Sequence, residues 1–282
     1  MLNQKTLDLD NEKEIQEQEA ELNNADDIAF SPGANADDSA DIERHISATV
    51  RNLYEVYSYR HAATILAKSF PEALKEIECA LVNFRLTVQD IGMPGGNESR
   101  IPKKFSRLLR PRGWFEARIR GDLSVKMEEY AEEVLANGKI QRIKRCDHPP
   151  IVLKNFIDGH KIDYVKGRVA FDLEWNSKDQ TFDRDLYAMR AFHECGLISL
   201  GVMVTRSEEL NHAFKKVPQL TKDGKTILQN GKNAGQSKSV FSKYGASTTW
   251  MGKLLYRLNA GRHGSCPILV FGITPKLIED WK

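Results

Sequence analysis

The segment Lys161-Ile-Asp-Tyr-Val-Lys-Gly-Arg-Val-Ala-Phe-Asp-Leu-Glu-Trp175 sets acids at a spacing that can do chemistry. Read as a hairpin with Lys166-Gly167 as its two-residue loop, it pairs Val165 with Arg168 and Asp163 with Ala170. Side chains alternate along a strand. Asp163, Ala170, Asp172 and Glu174 therefore fall on one face, and Ile162, Tyr164, Val169, Phe171, Leu173 and Trp175 on the other. Asp163 and Asp172 become diagonal neighbours at roughly 7–8 Å between backbones, near enough for their oxygens to converge on one ion. Three carboxylates on one face repel one another unless a cation sits among them. Mg2+ suits such a set because it prefers hard oxygen ligands and keeps several waters. Held there, it would acidify a water, polarise a phosphodiester and stabilise the leaving oxygen. The competing reading is a solvated sheet face whose acids pair with Lys161, Arg168 or Lys178.

The hairpin needs elements to hold it. Pro71 can open a helix in which Ala73, Leu74, Ile77, Ala80, Leu81 and Phe84 recur at helical spacing. IGMPGGN (91–97) is turn chemistry, and a helix is expected from about Val125 to Ala136, ended by Gly138. Residues 151–175 read as strands, 182–194 as a helix and 198–204 as a buried strand, an order that implies a parallel pair. The segment 206–243 reads as a long surface excursion, followed by a helix over 247–259 and a strand over 267–273.

Charge is uneven along the 282 residues. Residues 1–50 hold 13 Asp/Glu against 3 Lys/Arg, which leaves 26 acidic against 38 basic residues in the rest, a net of +12. A basic body attracts polyanions and releases their counterions on binding, so nucleic acid is its natural partner. Residues 1–48 lack an apolar stripe that could offset the entropy of ordering and are expected to form an acidic, disordered tail ahead of one catalytic domain over 49–282. No apolar run approaches the roughly 18 residues of a membrane span, and there is no secretory signal pattern. Four scattered cysteines give neither a CxxC pair nor a disulfide framework, which fits a reducing cytoplasm.

The order of these features, a helix, an Asp on one strand, nine residues to an acid-x-acid on the next, a helix and a buried strand, resembles the PD-(D/E)XK nuclease core. Glu55-Val-Tyr-Ser, the hairpin, Asp185-Leu-Tyr and Pro267-Ile-Leu-Val-Phe-Gly-Ile make it similar in particular to the BglII and BstYI restriction endonucleases, over about residues 54–275. The resemblance implies an α/β fold with a mixed central sheet flanked by helices. It implies a type II restriction endonuclease that hydrolyses double-stranded DNA with Mg2+. Asp163 and Asp172 would hold the metal, with the Leu173 carbonyl as a further ligand. Glu174, the third catalytic residue, stands where most of the superfamily carry Lys and the BglII-like enzymes Gln. A carboxylate there can take a proton from the attacking water or bind metal.

For DNA contact the sequence offers Lys103, Lys104 and Arg107 in a run with nine basic residues against two acidic ones between Arg100 and Lys126, and Lys238, Lys243 and Ser247 ahead of the last helix. Trp114, Phe105 and Phe115 in the first run face DNA or anchor a loop. Glu76 is an exposed helix residue or an added acid of the site. His193-Glu194-Cys195 has no second pair and is structural. A palindromic target would call for a homodimer, with two identical sites on a two-fold. A less specific nuclease of the same core and a DNA-binding protein without turnover are the alternatives.

Overall fold

The computed structural model describes residues 32–94, 100–230, 233–244 and 248–281, with the Asp158 side chain left aside. Its centre is a sheet of strands β1 (Tyr54–Tyr59), β2 (Phe115–Val125), β5 (Ile151–Lys166), β6 (Val169–Glu174), β7 (Leu200–Arg206) and β8 (Ile268–Ile273), in the order β1-β8-β7-β6-β5-β2. β6, β7 and β8 run parallel, while β5 on β6 and β1 on β8 are antiparallel. Every residue of β6, β7 and β8 is buried. That is what strands covered on both faces require, and it explains their near-continuous apolar sequences.

Helix α1 (Ser39–His45), α2 (Ala48–Leu53), α3 (Ala62–Ser69), α4 (Pro71–Asn83), α5 (Val88–Gly92), α6 (Arg100–Leu109), α7 (Thr181–Glu194), α8 (Glu208–Ala213) and α9 (Met251–Asn259) are the α-helices of the described residues. Pro71 opens α4 as its sequence predicts, and Ile77, Ala80 and Leu81 bury its inner face. Phe84 stacks on Phe105 of α6 at 4.2 Å, and Phe105 meets Phe171 of β6 at 5.6 Å. On the opposite face α7 covers β6 and β7. Gly201 lets it lie close: a Cβ there would stand 2.3 Å from Met189 Sδ.

Two compact units emerge. One holds the described residues up to Ala117 and from Ile162 onward, the other Arg118–Lys161. The second is a β arm in which β3 (Glu128–Val134) pairs antiparallel with β4 (Ile140–Asp147). The helix expected at 125–136 is therefore a strand. Its Glu-rich sequence favours a helix locally, but the basic β4 supplies cross-strand partners. Lys144 meets Glu128 at 2.6 Å, Glu132 faces Arg142, and Arg142 lies 4.2 Å over the Tyr130 ring. Gly138 at φ 77° makes the turn between the strands rather than a helix end.

The acidic segment expected to stay unpacked to residue 48 is ordered in its last part. Asp38 caps α1 by accepting from the Ala40 amide, and Asp37 accepts from the Ser58 hydroxyl at 2.6 Å. Ile42 and Ile46 are buried, so these residues belong to the core. The expectation for residues 1–31 lies outside the described residues.

Candidate active site

Chain register brings the acids together. β5 and β6 pair as Tyr164 with Phe171, Val165 with Ala170 and Lys166 with Val169, so the loop is Gly167-Arg168 and not Lys166-Gly167. Gly167 sits at φ 56° while Arg168 keeps negative φ. A positive φ at the first loop residue alone is the type II′ pattern, and it spares Lys166 the left-handed conformation that the other loop would impose. Moving the loop by one residue preserves the faces. It shifts the cross-strand partner by two, and continuing the register sets Asp163 directly opposite Asp172 instead of diagonal to it. Directly opposed residues have Cβ atoms roughly 4.5–5.5 Å apart.

The acid face is not solvated. Asp172 is 4% exposed and Glu174 7%, because α7 lies over them, whereas Asp163 is exposed at the rim. Asp185 on α7 joins them at 1% exposure. Asp163 is within hydrogen-bonding reach of Asp172, as is Asp185 of Glu174. Burial pushes the Asp172 carboxyl well above its ordinary range, reinforced by the charges of Asp185, Asp163 and Glu174. Glu174 is pushed up to about 8 by burial and by Asp185, against a stabilising hydrogen bond from Ser177. Asp185 is raised by burial, moderated by its hydrogen bond with Glu174 and by Arg184 at 3.2 Å.

Glu174 Oε2 and Asp185 Oδ2 are buried and meet no donor among the described residues. Both atoms are acceptors, so only a proton or a cation can join them. The donor set, four carboxyls with hard oxygens, suits a divalent ion of the Mg2+ type. Among the described residues no three His, Cys, Asp or Glu side chains close round one point as a metal-binding set. The acids stand instead as two adjoining pairs, Asp163 with Asp172 and Glu174 with Asp185. Leu173 lies between Asp172 and Glu174 with its side chain on the opposite, apolar face.

The basic residues divide. Lys103 and Arg107 are exposed and line an open cleft of about 390 Å3 with Ser106, Arg110 and Pro111. Lys104 is committed inward, paired with Asp90 and donating to the Arg85 carbonyl. Lys243 is likewise a strut. It donates to the Ile91 carbonyl at 2.9 Å and to that of Met93, and burial lowers it to about 8. Lys238 is half-buried, with its backbone bonded to Gln219 and Ile227. Ser247 lies outside the described residues.

Glu76 is far from idle, but it serves the fold. It accepts from Lys166 at 2.6 Å and from the Trp114 indole at 2.8 Å, which holds its pKa low against its own desolvation. Trp114 and Phe105 are fully buried anchors, and Phe115 alone of the three is exposed. His193 pairs with Ser265 and Glu194 with Arg190. The residue missed by the sequence reading is Asp185, and its signal was present: it interrupts the stripe Phe182, Met189 and Phe192 on the buried side of α7.

A search of curated proteins finds no match. The family model described as restriction endonuclease BglII/BglIII matches residues 54–273, from the first residue of β1 to the last of β8. A match over most of the chain, enclosing the whole mixed sheet and the four acids on β5, β6 and α7, shows that this protein belongs to the BglII/BglIII restriction endonuclease family.

Proposed function

We propose that this restriction endonuclease is of type II: a homodimer that hydrolyses phosphodiester bonds in double-stranded DNA at a palindromic site, with Mg2+ as cofactor. The observation that carries it is the buried acid group on β5, β6 and α7, in which Glu174 Oε2 and Asp185 Oδ2 lack a donor among the described residues, in a chain whose family cleaves DNA. Asp163 and Asp172, with the Leu173 carbonyl, would hold the cation, and Glu174 completes the catalytic acids. When bound, the ion acidifies the attacking water and offsets charge on the leaving oxygen. The chain's own part is positional. β5 and β6 fix the Asp163 and Asp172 carboxyls against each other, and α7 excludes water behind them, which strengthens every electrostatic interaction in front. Asp163 at the exposed rim marks the side from which a phosphate arrives. Lys103 and Arg107 add cationic charge suited to the DNA backbone.

The dimer rests on symmetry: two identical sites related by a two-fold match a two-fold sequence. No helix among the described residues is long and apolar enough to cross a membrane. A cytoplasmic enzyme fits the reduced state of Cys79, Cys146, Cys195 and Cys266. Plasmid DNA incubated with the protein and Mg2+ tests the proposal. Discrete fragments that vanish with chelator are expected, smears would identify a less specific nuclease, and intact DNA would leave binding alone.

A further inference from the structure

The last residue of β7 is a cation whose hydrogen-bond partners, among the described residues, are all neutral. Arg206 is fully buried. Its Nε and Nη2 donate to the Thr249 carbonyl at 3.1 and 2.6 Å, Nη2 also to the Thr248 hydroxyl at 2.7 Å, and Nη1 to Asn211 Oδ1 on α8 at 2.7 Å. The guanidinium lies 4.9 Å from the centre of the Tyr244 ring and 5.5 Å from that of Phe214. Burying a charge is costly, and an apolar side chain of similar size would fill such a cage without that cost. What the guanidinium adds is a rigid planar fork that fixes Thr248, Thr249 and Asn211 at once.

The first two of these lead to the acid group. Thr249 takes the Arg206 bonds on its carbonyl, while its amide donates to the Ser177 carbonyl at 2.9 Å. Thr248 pairs with Lys178 as an antiparallel bridge. The Ser177 side chain in turn donates to Glu174. Strand register explains why the route is indirect. Thr205 pairs in parallel with Glu174 and shares the acid face, so Arg206, the next residue, lies on the opposite one. Trp175 is on that face too, and its indole donates to the Tyr244 hydroxyl at 3.3 Å. Arg206 thus reaches the acids round the carboxyl ends of β6 and β7, the end of a parallel sheet at which ligands bind.

We infer that Arg206 is a positioning residue of the catalytic centre: through Thr248 and Thr249 it fixes the bend that follows β6 and so holds the Ser177 hydroxyl against Glu174. The inference rests on the nuclease reading above. It requires no contact of Arg206 with DNA or metal.

Single-turnover cleavage of plasmid DNA, with protein and Mg2+ in excess and well below the melting point, tests this beside the affinity for the same DNA without metal. Arg206→Lys keeps the charge and loses the fork. It should slow cleavage roughly 10–100-fold while affinity changes less than about twofold, and it should speed deuterium exchange of the Thr249 amide in the protein alone. Ser177→Ala should slow cleavage as well, and the double variant should be no slower than the slower single one, because both act along one link. A purely structural Arg206 would instead lower the melting point, leave the rate at that temperature unchanged, and give effects that multiply. An unchanged rate or unchanged exchange in Arg206→Lys, or multiplied effects in the double variant, would overturn the inference and leave the nuclease standing. If Arg206→Lys fails to fold, Thr248→Val, which removes one acceptor of the fork, carries the test: a severalfold loss of rate is expected that disappears in the Ser177→Ala background, and no loss would overturn the inference. Wild-type protein that leaves the plasmid intact would overturn the nuclease reading and this role with it.

Discussion

Replacing Glu174 by Gln tests the electrostatics of the buried acids without any assay of cleavage. In the metal-free protein burial and the neighbouring Asp185 push the Glu174 carboxyl up to about 8, whereas in the unfolded chain it titrates near the ordinary glutamate value of 4.5. Between those limits the folded state binds more protons than the unfolded one, so stability falls as pH rises. At 1.36 kcal/mol per unit, the full interval corresponds to on the order of 5 kcal/mol for this one group. Its low exposure leaves little solvent screening to reduce that figure, but its coupling to Asp185 spreads the effect over both residues. Gln imitates the protonated acid. Its amide can still donate to Asp185, and it carries no charge at any pH. Urea unfolding of the two proteins in chelator should therefore give nearly equal stabilities at pH 5 and a Glu174→Gln protein more stable by several kcal/mol at pH 8.5. Divalent cation should then narrow the gap, because only the carboxylate gains a ligand contact. Parallel stability curves from pH 5 to 8.5 would refute the claim that Glu174 is destabilised as an anion, and with it the physical basis for a cation at this position.

Other outcomes follow from the same structure. Asp163→Asn and Asp172→Asn should each reduce Mg2+-dependent cleavage by ~100-fold or more in single-turnover assays while circular dichroism stays native, and Glu174→Gln should be the mildest of the acid changes. Specific DNA binding should persist in these variants, since removing a carboxylate relieves repulsion of the incoming phosphate when no metal is present. Lys166→Met breaks the link to Glu76 and the Arg112 carbonyl, and should lower stability by about 1–2 kcal/mol in urea melts with cleavage retained. A chain begun at residue 32 should fold and cleave. One begun at residue 49 loses the burial of Ile42 and Ile46 and should be destabilised by roughly 3–6 kcal/mol, read from its urea midpoint. Arg107→Ala should weaken binding of unrelated duplexes alike and reduce the salt slope, measured by fluorescence anisotropy, whereas Lys104→Ala should mainly lower stability through its lost pairing with Asp90.

The parallel sheet was legible because its strands are short and strongly apolar. LGVMVTR and ILVFGI can only be buried strands at that length, and the helices at 71–83 and 181–194 carry clear periodicity. Glu128–Val134 was not legible, since what makes it a strand lies in β4, across a turn and beyond its own window. The buried ends of α1 failed for a related reason. Ile42 and Ile46 are isolated apolar residues in an acidic stretch, and only their neighbours α3 and β1 give them something to bury against.

Within the site, strand alternation alone put Asp163, Asp172 and Glu174 on one face, and that conclusion survived an error in the loop because a two-residue change of partner leaves parity intact. What alternation cannot say is what covers a face. A half-buried antiparallel pair would have left those acids in water, where their repulsion is weak and pairing with lysines is cheap. The parallel neighbour β7 changes this, because a β-α-β connection carries a helix back over the sheet, and here that helix lies over the acid face. The acids then meet the desolvation that raises Asp172, Glu174 and Asp185 together. The helix itself recorded the fact: Asp185 stands three residues after Phe182 and four before Met189, in the middle of its buried stripe. A charged residue on the apolar side of a helix needs a compensating partner. In this chain Arg184, itself 66% exposed, bonds one oxygen of Asp185 and offsets part of its charge, while the other residues it faces are acids, so a proton or a metal ion must supply the rest.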